Sequence, residues 1–278
     1  METVKNRVVI KVGTSTITTE TGENNFRTMD KLAQVLSGLA NEGYEVILVS
    51  SGAIAVGANK MGLQQKPKDL KLKQAAASVG QCELMHLYDK FFSEYGKMVS
   101  QILLSGDDVE NPVKKQNLRN TFFTLIEHNI IPIVNENDPI STDQIQEENF
   151  GDNDTLSAIV AALIDADLLL LLSDIDGLFT DDPNSNPNAE LIHVVEKLDD
   201  HLLKMGKSTS TSDVGTGGMA SKLTAATLAS AAGTDMVIAN GEDFRNIHRV
   251  IEGQDCGTLF LSHKKDEFYL MDYLEKML

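Results

Sequence analysis

The chain holds 278 residues, 42% of them hydrophobic, with 41 acidic against 24 basic side chains and a formal net charge of −17. That length suits one large α/β domain or two small ones around a substantial core, and the acidic balance excludes a general nucleic-acid or anionic-membrane surface. Any anionic ligand must therefore be met by a few placed lysines and backbone amides.

Cys82 and Cys256 lie far apart and form no CxxC or His/Cys cluster, so neither a disulfide framework nor a structural zinc site is expected. Residues 1–7 carry charges of both signs and lead straight into Val8-Val9-Ile10, which is too short for a signal-peptide core. No apolar run approaches the roughly 18 residues of a membrane span. The expectation is a cytoplasmic protein.

Residues 8–12 are a short β-branched strand interrupted by Lys11 and ending in Gly13-Thr14-Ser15. A lysine in a buried parallel strand is costly unless it is paired or reaches a ligand; the other reading is an edge strand with Lys11 in solvent. Residues 27–41 carry Met29, Leu32, Val35, Leu36, Leu39 and Ala40 at helical spacing before Gly43, and Val46 to Val49 follow as a strand, completing a βαβ unit. That strand runs into Ser51-Gly52-Ala53 at the head of a further helix, the end of an open parallel sheet where ligands sit.

Residues 62–95 read as mainly helical, with Ala75, Ala76, Val79, Leu84, Leu87 and Phe91 as core positions; Met85 and His86 are read as packing and surface residues. A strand over 99–104, a polar stretch over 105–115 and a helix over about 117–128 follow. Residues 130–134 form the next strand, ending in Asn135-Glu136-Asn137-Asp138. An acidic loop then leads to Gly151-Asp152-Asn153-Asp154 and a helix over 155–165. Asp154 could be an ordinary N-cap, yet amides can hold an amino acid's α-carboxylate and amine, and carboxylates can accept from an ammonium or orient lysines and Mg²⁺.

Leu168 to Leu172 is the continuous apolar run of a buried parallel strand, followed by Ser173-Asp174 and Gly177-Leu178. A short strand over 191–195 and a polar segment over 204–213 come next. Gly215-Thr216-Gly217-Gly218-Met219-Ala220-Ser221-Lys222 then opens a helix marked by Met219, Leu223, Ala226 and Ala229. Glycines let backbone amides approach a phosphate, and the positive helix end adds to the attraction; Lys222 can swing back toward the same anion. The spacing does not fit the Walker pattern, and taken alone the loop could simply cap its helix. A strand over 236–239, a helix over 244–251 and a last strand over 257–261 complete a chain without repeats or low-complexity linkers.

These motifs, in this order and over about residues 7–262, resemble the amino acid kinase family, and within it the members that phosphorylate glutamate at the head of proline biosynthesis. The resemblance implies a three-layer α/β/α sandwich with a mainly parallel central sheet, a substrate-binding lobe over about 1–165 and a nucleotide-binding lobe over about 166–278. It implies catalytic roles for Lys11, Lys222 and Asp154, the lysines neutralising the γ-phosphoryl group in flight and the aspartate orienting them. Ser51, Gly52, Ala53, Asp138 and Asn153 match glutamate-binding positions. Lys11, Gly13, Ser173, Asp174 and the run Thr216, Gly217, Gly218, Met219, Ala220, Ser221, Lys222 match ATP positions. Mg²⁺ is expected to arrive with ATP and to have no dedicated protein cage. The implied partners are L-glutamate, proline as a feedback inhibitor, further copies of the chain in a dimer or tetramer, and glutamate-5-phosphate reductase; nucleic acid and membrane are not among them. Many relatives append an RNA-binding-like PUA domain, which is expected to be lacking here. The rival readings are a kinase of the same fold for another carboxylate or for UMP, and a non-catalytic nucleotide sensor.

Overall fold

The computed structural model describes residues 6–19, 22–63, 65, 67–140, 153–183, 185–199, 202–203, 218–264, 268–270 and 273. The strands are β1 (Arg7–Val12), β2 (Glu45–Ser50), β3 (Met98–Leu104), β4 (Ile130–Glu136), β5 (Leu168–Ser173), β6 (Val194–Val195), β7 (Asp235–Asn240) and β8 (Thr258–Phe260). The helices are α1 (Thr14–Ile17), α2 (Phe26–Asn41), α3 (Ala53–Lys60), α4 (Leu70–Glu94), α5 (Gly106–Glu110), α6 (Pro112–Glu127), α7 (Asn153–Leu163), α8 (Met219–Ala232) and α9 (Arg245–Ile251). Together they form the expected α/β fold, a mostly parallel eight-stranded sheet in which β2–β4, β3–β4, β5–β7 and β6–β8 pair in parallel and β7–β8 antiparallel. The chain divides into two compact units, Val12–Phe150 and Met1–Lys11 with Gly151–Leu278.

In the unit of Val12–Phe150 the strand order is β3-β4-β2, and Val49 stands beside Val134 in parallel register. The face of α4 that is buried differs by one residue from the apolar count. Ala76, Ala77, Gly80, Gln81, Leu84, Leu87, Tyr88 and Phe92 point inward, whereas Ala75 is exposed and Val79 and Phe91 only half-buried. A glycine, a glutamine and a tyrosine carry part of the stripe, so hydrophobicity alone misplaces it. The polar stretch over 105–115 also holds structure: Ser105 and Asp108 form a capping box that starts α5, and Asn111 caps α6 ahead of Pro112. Both are helix starts written in side-chain oxygens rather than in apolar periodicity.

The α3–α4 crossing is backbone on backbone. A Cβ on Gly57 would lie 1.7 Å from the carbonyl oxygen of Ala76, and one on Gly80 1.8 Å from that of Ala53. Only hydrogen fits at either position, and this close approach seats the first residue of α3 against α4.

In the other unit the order is β1-β5-β7-β8-β6. Asp167 joins the first strand to the rest: its Oδ2 accepts from the backbone N–H groups of Asn6 and Arg7 at 3.0 and 2.9 Å, and its own N–H donates to the Arg7 carbonyl at 2.9 Å. Buried on almost every side, α7 packs against α8, whose inner face is Leu223, Ala225, Ala226, Leu228, Ala229 and Ala231. Small alanines let two helices approach closely, and Gly233 at φ 93° ends α8 in a left-handed cap. The expected strand over 191–195 shrinks to β6, with Leu191 in an isolated bridge to Phe179.

The glycines of α2 and α4 are expected to answer oppositely to alanine. Gly80→Ala should lose about 2 kcal/mol or more through overpacking. Gly38→Ala, inside α2 with nothing within 4 Å of the added carbon, should gain up to about 1 kcal/mol from reduced unfolded-state entropy. Urea denaturation of both variants checks the pair; equal stability would refute the backbone-contact account.

Candidate active site

Three charged side chains meet within the unit of Met1–Lys11 and Gly151–Leu278. Lys11 comes from β1, Asp154 from the first turn of α7 and Lys222 from the first turns of α8. The Lys11 Nζ lies 2.6 Å from Asp154 Oδ1 and the Lys222 Nζ 3.0 Å from Oδ2. Asp154 is fully buried, and Lys11 and Lys222 are only 8% and 5% exposed. Ser221 adds its hydroxyl, 2.8 Å from the Gly218 carbonyl and 3.4 Å from Asp154 Oδ2. Of the two sequence readings of Lys11, the solvent-facing edge lysine is therefore excluded.

Burial pushes the Asp154 carboxyl up, but the charges and hydrogen bonds of Lys11 and Lys222 outweigh it and hold the group below the usual carboxylate range. Asp154 is thus an anion lying between two cations, at a helix start that favours negative charge. Lys222 sits at the opposite kind of place, a cation near the positive end of α8. Gly218 caps that helix with no side-chain oxygen, so the first-turn amides of α8 have no side-chain acceptor from their cap residue. Among the described residues, two buried ammonium groups and a helix start without a side-chain cap from Gly218 face one carboxylate, an arrangement suited to an anion.

The loop after β5 lies in the same unit. Ser173 is half-buried and Asp174 exposed, the Ser173 hydroxyl donating to Asp174 Oδ1 at 3.0 Å. Gly241 N–H donates to the Ser173 carbonyl at 2.7 Å, Asn240 Nδ2 to Asp176 Oδ1 at 2.8 Å, and Leu178 N–H to the Thr258 hydroxyl at 2.8 Å. Asn153, the first residue of α7, is half-buried. Thr216 and Gly217 lie outside the described residues, as do Gly151, Asp152 and Gly215 of the quoted motifs; Met219 and Ala220 are half-buried at the start of α8.

Gly13, Ser51, Gly52, Ala53 and Asp138 belong to the unit of Val12–Phe150. Ser51 N–H donates to the Val12 carbonyl at 3.3 Å, and Gly52, at φ 99°, is the N-cap of α3 with no side-chain cap bond. A Cβ on Gly52 would come within 3.1 Å of Ile17 and 3.6 Å of Thr14. The motifs after β1 and β2 are thereby brought together at the uncapped start of a helix. Asp138 is half-buried in the turn after β4.

A family model described as the amino acid kinase family matches residues 6–240. The chain belongs to the amino acid kinase family. It is similar to the glutamate 5-kinase of Clostridium perfringens (strain 13 / Type A), 49% identical over 259 residues that make up 93% of this chain and 96% of that protein. It is also similar to the glutamate 5-kinase of Listeria innocua serovar 6a, 48% identical over 272 residues, 96% of this chain and 97% of that one. Among solved structures the UMP kinase from Bacillus anthracis shares the fold, with a TM-score of 0.61 at 17% identity over 92% of this chain and 96% of that chain.

Sequence reasoning missed the side chains that hold the amino acid kinase motifs in place. Asn240 and Thr258 brace the Ser173 loop, and Tyr88 and Gln81 reach the strand ends of the other unit. Tyr88 is fully buried and its hydroxyl lies 2.7 Å from that of Ser50; desolvation raises its pKa. The signal for both was their place on the α4 stripe, Gln81 four residues after Ala77 and Tyr88 seven after Gln81.

Asp154→Asn is expected to cost about 3–5 kcal/mol, because it leaves two buried cations without their counter-charge. The folded pKa of Asp154 is below its unfolded value near 3.9, so the contribution is complete above about pH 4 and is lost only as the pH falls through the lowered folded value. Melting curves should show a constant gap between wild type and variant from about pH 8 to 5, narrowing only in stronger acid. A gap that closes near neutrality would contradict an ionised Asp154 between two ammonium groups.

Proposed function

We propose that this protein transfers the γ-phosphoryl group of ATP to the γ-carboxylate of L-glutamate, giving L-glutamyl 5-phosphate and ADP, the first step of proline biosynthesis. The observation that carries the chemistry is the buried Lys11–Asp154–Lys222 cluster beside the uncapped start of α8. The similarity to glutamate 5-kinases over nearly the whole chain supports the choice of acceptor.

Phosphoryl transfer asks a protein for positioning and charge stabilisation rather than for a covalent intermediate. The acceptor carboxylate is already ionised at neutral pH, so no general base is required. Lys11 and Lys222 stabilise the charge on the equatorial oxygens as the bond to ADP lengthens, and Asp154 holds both ammonium groups at fixed separation so that no reorganisation is needed during the step. The α8 amides after Gly218 hold phosphate oxygens. Mg²⁺ would supply further charge neutralisation on ATP. It would keep mostly phosphate and water ligands.

In this reading the unit of Val12–Phe150 holds the amino acid. Ser51 and the Gly52-Ala53 amides at the start of α3 meet a carboxylate, and Asp138 accepts from the α-ammonium. The unit containing α8 holds ATP through Ser173, Asp174 and the 216–222 segment. Among the described residues no helix is long and apolar enough to cross a membrane, and the proposed setting is the cytoplasm. Feedback inhibition by proline, assembly into a dimer or tetramer and hand-over of the labile acyl phosphate to glutamate-5-phosphate reductase complete the proposal on the strength of the family resemblance.

Hydroxylamine traps acyl phosphates, so purified protein should form hydroxamate only when both glutamate and ATP are present. Absence of product, with N-acetylglutamate, aspartate or UMP consumed instead, would sink the assignment. Lys11→Ala and Lys222→Ala should each lower kcat/KM by about 10² to 10⁴, several kcal/mol of transition-state stabilisation, while circular dichroism retains the folded spectrum. Near-normal turnover in either variant would remove that lysine from the mechanism.

A further inference from the structure

Within the unit of Val12–Phe150, one face of α4 reaches the carboxyl ends of two neighbouring strands. Val49 and Val134 are in register, so Ser50 and Asn135, the next residues, stand side by side and face the same way. Each is met from α4: Ser50 by the Tyr88 hydroxyl at 2.7 Å, and Asn135 by Gln81, whose Oε1 accepts from Asn135 Nδ2 at 3.0 Å. Gln81 and Tyr88 are two helical turns apart and so share that face. Immediately before Gln81, Gly80 lies against the carbonyl of Ala53. A single turn of α4 thus supports both the start of α3 and the end of β4.

The Gln81–Asn135 contact is a buried amide pair, with side chains in residues 7% and 3% exposed. Buried carboxamides are kept only where their partners are supplied. Because Nδ2 of Asn135 donates to Gln81, the orientation of the Asn135 amide is set from the helix side. Asn135 is followed by the turn that presents Asp138, a turn held by Asn137 N–H donating to the Leu104 carbonyl at 2.8 Å. The Gln81–Asn135 hydrogen bond is thus a polar link between α4 and this strand end.

We propose that Gln81 is a positioning residue for the glutamate pocket: through Asn135 it holds the strand-end turn that carries Asp138, and so sets affinity for the amino acid without touching the phosphoryl group. The proposal rests on the glutamate kinase reading above. Gln81 does not belong to any of the motifs that carry the family resemblance, and its role follows from the α4 face it occupies.

The test uses steady-state kinetics of the full chain in the hydroxamate assay. Gln81→Met keeps length and packing but removes the acceptor. It should raise KM for glutamate about tenfold or more, leave kcat and KM for ATP within about threefold, and leave the melting temperature within a few degrees. In an Asn135→Ala background the same change should add less than about twofold, because the link is already broken. A wild-type KM for glutamate in Gln81→Met, or penalties that multiply in the double variant, would overturn the inference. Equal losses in kcat and in both KM values, or a large fall in melting temperature, would also overturn it by assigning Gln81 to the core alone. Should Gln81→Met fail to fold, Gln81→Asn, a carboxamide one methylene short of Asn135, is measured against the same criteria. Wild-type protein without glutamate-dependent hydroxamate would overturn the function and this inference together; an active wild type with an indifferent Gln81→Met overturns the inference alone.

Discussion

A carboxylate with no solvent contact is tolerable only because two ammonium groups lie against its two oxygens, and that requirement governs the unit that contains it. Asp154 would bring a desolvation cost of several kcal/mol if left alone. Lys11 and Lys222, each almost as buried, would do the same. The three must therefore arrive together, from the first strand, the first turn of α7 and the first turns of α8. Asp167 secures the first strand by taking the backbone N–H groups of Asn6 and Arg7. The alanine-rich α7–α8 contact lets the two helix starts come close enough for Lys222 to reach the carboxylate. The architecture is what makes the charges affordable, and the charges give the architecture its chemistry.

In the unit of Val12–Phe150 the governing constraint is steric. Gly57 and Gly80 allow α3 and α4 to touch through backbone, which fixes where the start of α3 stands. Gly52 can open that helix in a left-handed conformation and lie against Ile17 because it has no side chain. Tyr88 and Gln81 then secure the ends of β2 and β4 from the same helix. Hydrogen bonding refines a geometry that the glycines make possible.

Much of this was legible in the sequence, and the exceptions have a common cause. Strand cores such as Val46 to Val49 and Leu168 to Leu172 announced themselves because burial on both faces demands continuous apolar runs, and the order of motifs pointed to the amino acid kinase family. Lys11 could not be decided from β1 alone, since a lysine in a strand is costly or harmless depending on a partner 143 residues away, and that partner, Asp154, was itself readable as a plain N-cap. On α4 the apolar count led to Ala75 and Phe91, whereas the inward face includes Gly80, Gln81 and Tyr88. The first is chosen for what it lacks and the other two for what they bond, and neither choice registers on a hydrophobicity scale. The α5 start was visible in principle as Ser105 and Asp108, three apart, a capping signature that periodicity does not detect.

The overall charge sharpens the role of burial. With a net charge of −17, the protein's far field repels both ATP and glutamate, and at physiological ionic strength that field decays over about 8 Å. Attraction must therefore be concentrated where water and salt do not screen it. Exposed lysines such as Lys114, which spends its charge on Asp107 and Asp108 at the surface, contribute little there. Lys11 and Lys222 act in a low-dielectric setting, where one unit of charge is worth several times its value in water. Asp154 lies against both ammonium groups. An acidic surface and a buried pair of lysines are thus compatible, because burial separates the distances over which each operates, and in the proposed function it is the second that meets the phosphates.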